Sequence, residues 1–148
     1  MEAHVNKLAT IGYETGTQGG MIDRLKAADV ELVVDVRAVA SSRKAGFSKT
    51  LLGNSLKDQG IDYLHLRPLG TPKPGREAAR AGRTDEMRAI FNAHLEEPEA
   101  VLALAQATEL AKTKRVALLC YEDDPNCCHR RIVADRIRQT LKCEVVDL

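Results

Sequence analysis

The chain has 148 residues, 44% of them apolar and 29% charged, with a formal net charge of +1. That is enough for one domain with a buried core and no disulfide support, and so balanced a charge gives no global attraction to nucleic acid or to a membrane surface. No apolar run approaches the roughly 18 residues of a membrane span, and "MEAHVNKLAT" lacks the basic-then-apolar pattern of a signal peptide. The expectation is a cytoplasmic protein with its four cysteines reduced.

In chain order, "LATIGY" (8–13) reads as the first strand. A helix follows over 17–28, with Met21, Ile22, Leu25 and Ala28 on one face, although Gly19 and Gly20 weaken its start. "ELVVDVR" (31–37) is the second strand, and "SKTLLGNSLKDQG" (48–60) a helix with Ser48 as its cap and Gly60 as its stop. "IDYLHL" (61–66) is the third strand. The segment "LGTPKPGREAARAGRT" (69–84) is turn-rich and basic; helices are expected near 84–95 and 98–112, with Pro98 well placed at the start of the second. "RVALLCYE" (115–122) is a nearly continuous apolar strand, "CHRRIVADRIRQTL" (128–141) an amphipathic helix, and "CEVVDL" (143–148) the last strand. Strands alternating with helices predict a single α/β domain over 1–148, a mostly parallel, doubly wound sheet of about five strands flanked by helices. A helical insertion separates its third and fourth strands.

In such sheets ligands bind beyond the carboxyl ends of the strands. Those ends read Gly12-Tyr13-Glu14, Asp35-Val36-Arg37, His65-Leu66-Arg67 and Cys120-Tyr121-Glu122. If all the strands run parallel, these groups converge on one edge. The plain alternative is that strand ends are polar because loops are wet.

Three of the cysteines lie in "CYEDDPNCCHR" (120–130). The spacing does not suit a standard structural zinc site: Cys127, Cys128 and His129 are adjacent and no second C-x2-C half exists, so no metal is expected. A reversible Cys120–Cys128 disulfide is open, though a C-x-x-C redox motif is missing. Cys128 lies near a helix start, where free N–H groups and the helix dipole favour anions, including a thiolate. Arg130 and Arg131 add positive charge there. The remaining reading is structural, with Cys120 a buried strand cysteine and Cys128 a packing residue.

"TIGYE" (10–14), "DVRAVASSRKAGFSK" (35–49), "YLHLRPLGTP" (63–72) and "LLCYEDDPNCCHR" (118–130) resemble the DUF488 family in order and spacing over nearly the whole chain. The resemblance implies motif positions at Gly12, Tyr13, Asp35, Arg37, Arg43, Phe47, Leu69, Gly70, Cys120, Glu122, Cys128, His129 and Arg130. Ala40 stands where the family usually has proline, and Cys127 is an extra cysteine. The family's function is unknown, so the resemblance implies a fold and a site and no reaction.

Two basic stretches follow strand ends. Arg37, Arg43, Lys44 and Lys49 occupy the first; Arg67, Lys73, Arg76, Arg80 and Arg83 the second, against Glu77 alone. If they flank one pocket, they focus a positive field; otherwise they are solvated loops. The reading favoured here is an enzyme acting on a phosphorylated or other anionic substrate, a nucleotide or nucleic acid among them. Cys128, Glu122, Asp35 and His129 are its candidate catalytic groups, and Arg37, Arg43, Arg130, Tyr13, Gly12 and Gly70 its candidate binding groups. Alternatives are a nucleotide or nucleic-acid binding module without catalysis, against which the shortage of aromatics tells, and a thiol redox protein. No cofactor is identified, although Asp35 and Glu122 are suitable hard ligands for Mg²⁺. Oligomeric state is unreadable.

Overall fold

In the computed structural model, which describes residues 7–148, each expected strand forms. The first six residues, where the signal-peptide reading and the expected domain begin, lie outside the described residues. Strand β1 spans Lys7–Gly12, β2 Leu32–Asp35, β3 Asp62–His65, β4 Val116–Cys120 and β5 Glu144–Asp147. They pair in the order β3-β2-β4-β1-β5, and every pairing is parallel. Strands β2 and β4, flanked by neighbours and covered above and below, are buried throughout, which explains their unbroken apolar runs. The edge strands β3 and β5 are only partly buried.

Alternation along each strand divides the core into two layers. Ala9, Ile11, Val33, Ala117 and Leu119 pack towards helices α1 (Gln18–Ala27) and α2 (Lys49–Asp58). Leu8, Val34, Val116, Leu118 and Cys120 face the other way, towards α3 (Lys73–Arg80), α4 (Thr84–His94), α5 (Pro98–Thr113) and α6 (Arg130–Leu141). Helices on both faces of a parallel sheet make the fold doubly wound. No helix among the described residues is long and apolar enough to cross a membrane.

Three local details differ from the sequence reading. The turn-rich segment 69–84 contains helix α3. Pro74 falls in its first turn, where a missing N–H is harmless, and Gly75 is buried tightly against Thr71 and Ile90 of α4. Ser48 stands at the start of α2 but does not cap it; its hydroxyl instead donates to the Ser42 carbonyl and accepts the Ser42 N–H, bracing the loop before the helix. Helix α6 starts at Arg130, so Cys128 and His129 lie just ahead of it. At α1, Thr17 Oγ1 accepts the Gly20 N–H at 3.0 Å, a cap that offsets the glycine-rich start.

Candidate functional site

Because the strands are parallel, their carboxyl ends share one edge, and the chain places polar groups there on both faces of the sheet. On the α1–α2 face, Asp35 ends β2 completely buried. Its Oδ1 accepts the Arg37 backbone N–H at 3.0 Å and Arg37 Nε at 2.9 Å. Its Oδ2 accepts Arg37 Nη2 at 2.6 Å and the Tyr63 hydroxyl at 2.5 Å. Arg37 Nη1 donates to the Tyr13 hydroxyl at 2.9 Å and to the Phe47 carbonyl at 2.7 Å, and Tyr13 stacks on Phe47 with centroids 4.3 Å apart. Burial alone would lower the Arg37 pKa, but the Asp35 carboxylate outweighs it and holds the guanidinium charged. Burial, and then the Asp35 charge, push the Tyr63 phenol well above its ordinary range. The pair is thus hydrogen-bonded all round, which a buried ion pair requires.

On the opposite face Cys120 ends β4, and His129 and Cys128 approach it from the segment before α6. His129 Nε2 lies 2.6 Å from the Val36 carbonyl oxygen. A carbonyl only accepts, so Nε2 carries the hydrogen and, in the neutral ring, Nδ1 is a bare acceptor. Nδ1 lies 3.6 Å from Cys120 Sγ and 3.8 Å from Cys128 Sγ. The three donor atoms all lie within 4.8 Å of one another. Phe91 of α4 walls the imidazole with ring centroids 5.0 Å apart. Cys128 also accepts the Arg130 N–H at 3.5 Å, yet its complete burial pushes the thiol well above its ordinary pKa. The expected acidification by the helix start is therefore overridden, because desolvation disfavours a thiolate more than one helix end favours it.

A cleft of about 620 Å³ opens between the two clusters. Tyr13, Arg37 and Arg43 line one side, Arg76 and Arg80 of α3 another, and Cys120, Tyr121, Glu122 and His129 its floor and rim. Cys120 Sγ donates to Glu122 Oε1 at 3.6 Å. The turn carrying Glu122 is held by backbone contacts. Arg130, 1% exposed, donates to the Glu122 carbonyl and, at 3.1 Å, to the Asp123 carbonyl. The Tyr13 N–H donates to the Tyr121 carbonyl at 3.1 Å. Gly12 lies against the same turn: a Cβ there would overlap the Glu122 carbonyl. Gly70 likewise lets the backbone of Ala38 approach, leaving no room for a side chain.

The residues singled out in the sequence therefore separate by position. Tyr13, Arg37, Arg43, Cys120, Glu122 and His129 reach the cleft. Asp35 and Cys128 lie behind its two walls, and Arg130, Gly12 and Gly70 shape the turns around it. Cys127 is exposed, lines the cleft as well and donates to Asp124 at 3.5 Å, but stands outside the close group of Cys120, Cys128 and His129. Of the basic stretches, Arg37, Arg43, Arg76 and Arg80 contribute to the lining, while Arg83 pairs with Glu86 at 3.0 Å. Tyr63 was missed. Its signal was the parallel register, which sets His65 level with Asp35 and puts Tyr63 on the same face, within reach of the carboxylate. The wall residue Phe91, distant in sequence, carried no such signal.

Residues 19–137 match the family described as "Domain of unknown function DUF488", and the chain belongs to that family. No curated protein and no solved structure gives a match.

Proposed function

We propose that this chain is an enzyme acting on a phosphorylated or similarly anionic substrate in the cleft at the carboxyl edge of the sheet. The observation that carries the reading is the convergence of Arg43, Arg76 and Arg80 on the cavity floored by Cys120, Glu122 and His129. Arg37 also lines it, but its charge is already matched by Asp35. Among the described residues, the guanidinium groups of Arg43 and Arg80 have no ion-pair partner, and Arg76 spends one N–H on the Thr71 carbonyl at 2.9 Å. Guanidinium forks suit phosphate and carboxylate oxygens. In this reading Arg43, Arg76 and Arg80 hold the anion, and Glu122, half-buried beside Cys120, moves protons. Cys120 and His129 form the reacting corner, Asp35 fixes Arg37, and Cys128 backs His129. Tyr121, 44% exposed at the rim, offers a flat apolar face that suits the ring of a nucleotide.

The test begins with inorganic phosphate, followed by calorimetry on the full-length chain. Phosphate is expected to bind weakly at low salt, and the Arg43→Ala/Arg80→Ala double variant to lose that binding while keeping its melting temperature. A screen of phosphomonoesters and nucleotides should then give turnover that Glu122→Gln and Cys120→Ser abolish with the fold retained. Equal phosphate binding by wild type and double variant would remove the anion pocket. Nucleic acid bound with a steep salt slope and no turnover would favour the binding-module reading instead.

A further inference from the structure

We infer that Cys120, Cys128 and His129 form a three-donor site for a soft divalent metal ion, zinc above all, with its fourth position open to the cleft. Sequence spacing spoke against zinc because it placed Cys127, Cys128 and His129 together. The fold instead leaves Cys127 exposed at the cleft, outside the close donor set, and brings in Cys120 from the end of β4.

The two sulfur–nitrogen edges have the length a tetrahedral site requires. With Zn–S near 2.3 Å and Zn–N near 2.0–2.1 Å, the sulfur–nitrogen edge of a tetrahedral site is about 3.6 Å. The two edges here measure 3.6 Å and 3.8 Å, and the sulfurs lie within 4.8 Å of each other. The histidine is prepared in the way metal-binding histidines are: Nε2–H is fixed on the Val36 carbonyl at 2.6 Å, which leaves Nδ1 bare and aimed at the sulfurs. Two thiols and an imidazole select zinc over magnesium or calcium, which prefer oxygen. Binding releases both thiol protons to solvent, and two thiolates with one Zn²⁺ leave a site of zero net charge. Such neutrality suits side chains exposed by only 5%, 2% and 6%.

Cys120 and His129 line the cleft whereas Cys128 does not, so the open coordination position faces the cavity. Glu122 stands there, 3.6 Å from Cys120 Sγ but outside the mutually close set of three donors. Three protein ligands with an open fourth position beside a carboxylate is the pattern of a catalytic rather than a structural metal site. In that respect the metal is the reacting centre of the cleft proposed above, and its catalytic role rests on that reading.

The experiment uses the full-length, reduced chain, stripped with a chelator and titrated with Zn²⁺ against a chromophoric competitor, then with Co²⁺ as a spectroscopic substitute. The expected result is one zinc per chain, a rise in melting temperature on adding zinc, and thiolate-to-cobalt charge transfer in the near ultraviolet. Cys120→Ser and Cys128→Ser should each lose the cobalt band, while Cys127→Ser and Cys143→Ser keep it. No zinc-dependent change in the melting of wild type, together with no charge-transfer band, would overturn the site without relying on any variant. A band that survives Cys120→Ser but vanishes in Cys127→Ser would overturn the ligand assignment. Phosphate binding by the metal-free chain separates the two ideas. If phosphate binds and zinc does not, the metal falls and the anion cleft stands; zinc without phosphate binding removes the anion cleft.

Discussion

Two polar clusters occupy opposite faces of the same sheet edge, and they are finished to different degrees. Around Asp35 every strong donor has an acceptor at 2.5–3.0 Å, and both charges are neutralised within the cluster. Around His129 the Nε2 side is equally well made, but Nδ1 and two sulfurs face one another at 3.6–3.8 Å, in contacts that are weak for thiols. A saturated network fixes shape and leaves no lone pair for a ligand. A network of long thiol contacts, held in place from behind, loses less when a ligand displaces them. On the reading proposed above, Asp35, Arg37, Tyr13 and Tyr63 are scaffolding, and Cys120, Cys128 and His129 carry the chemistry.

The largest effect should come from breaking the saturated side. Asp35→Ala leaves the Arg37 guanidinium buried without its counterion, a loss of about 3–5 kcal/mol for such pairs. Urea denaturation followed by circular dichroism should show the variant largely unfolded or with its midpoint sharply lowered. A midpoint close to wild type would mean that Arg37 swings out to water, and that the network is not the scaffold described.

Tyr63→Phe probes the same side more gently, because the phenol donates to Asp35 but carries no charge. Removing a hydrogen bond to a charged acceptor costs about 1.5–3 kcal/mol when buried; Tyr63 is only partly buried, and the lower end is expected. The pH dependence sharpens the point. The folded pKa lies above the ordinary value of 10.0, so the folded state keeps a proton that the unfolded chain gives up. Its contribution is therefore complete below about pH 10 and is lost as pH rises through the folded value. Wild-type stability should fall through that alkaline window, and the fall should be shallower in Tyr63→Phe. An unchanged alkaline slope would separate Tyr63 from the network.

Much of this arrangement could be read from the chain. The apolar runs at 31–37 and 115–122 suggested strands buried on both faces, as in a parallel sheet, and parallel strands bring Tyr13, Arg37, Cys120 and Glu122 to one edge. Sequence without the strand register could not divide that edge into two faces: Asp35 and Cys120 look alike as polar strand ends, yet their side chains point to opposite layers. Nor could it weigh the burial of Cys128, since the polar neighbours His129 and Arg130 suggested a wet site. Both prove to be buried, His129 against Phe91 and Arg130 on the carbonyls of Glu122 and Asp123. Helix α3 escaped notice because Pro74 and Gly75 are turn residues everywhere except in a first helical turn packed closely on its neighbour.

The smallest effect, and the one that discriminates best, is expected on the side of His129 and its two thiols. Cys120→Ala removes one small group whose hydrogen bonds are long, so in the presence of a chelator it should cost about 1 kcal/mol, the usual scale of a single substitution. That is far less than Asp35→Ala at the end of the neighbouring strand, although both residues are buried. Adding zinc should then reverse the comparison in one respect: it stabilises wild type by an amount set by its concentration relative to Kd, and leaves Cys120→Ala where it was. A cluster that contributes little to stability alone and much with a metal is organised to bind that metal. If Cys120→Ala instead unfolds the chain in chelator as Asp35→Ala does, the two faces are equivalent parts of one scaffold, and the division of labour between them fails.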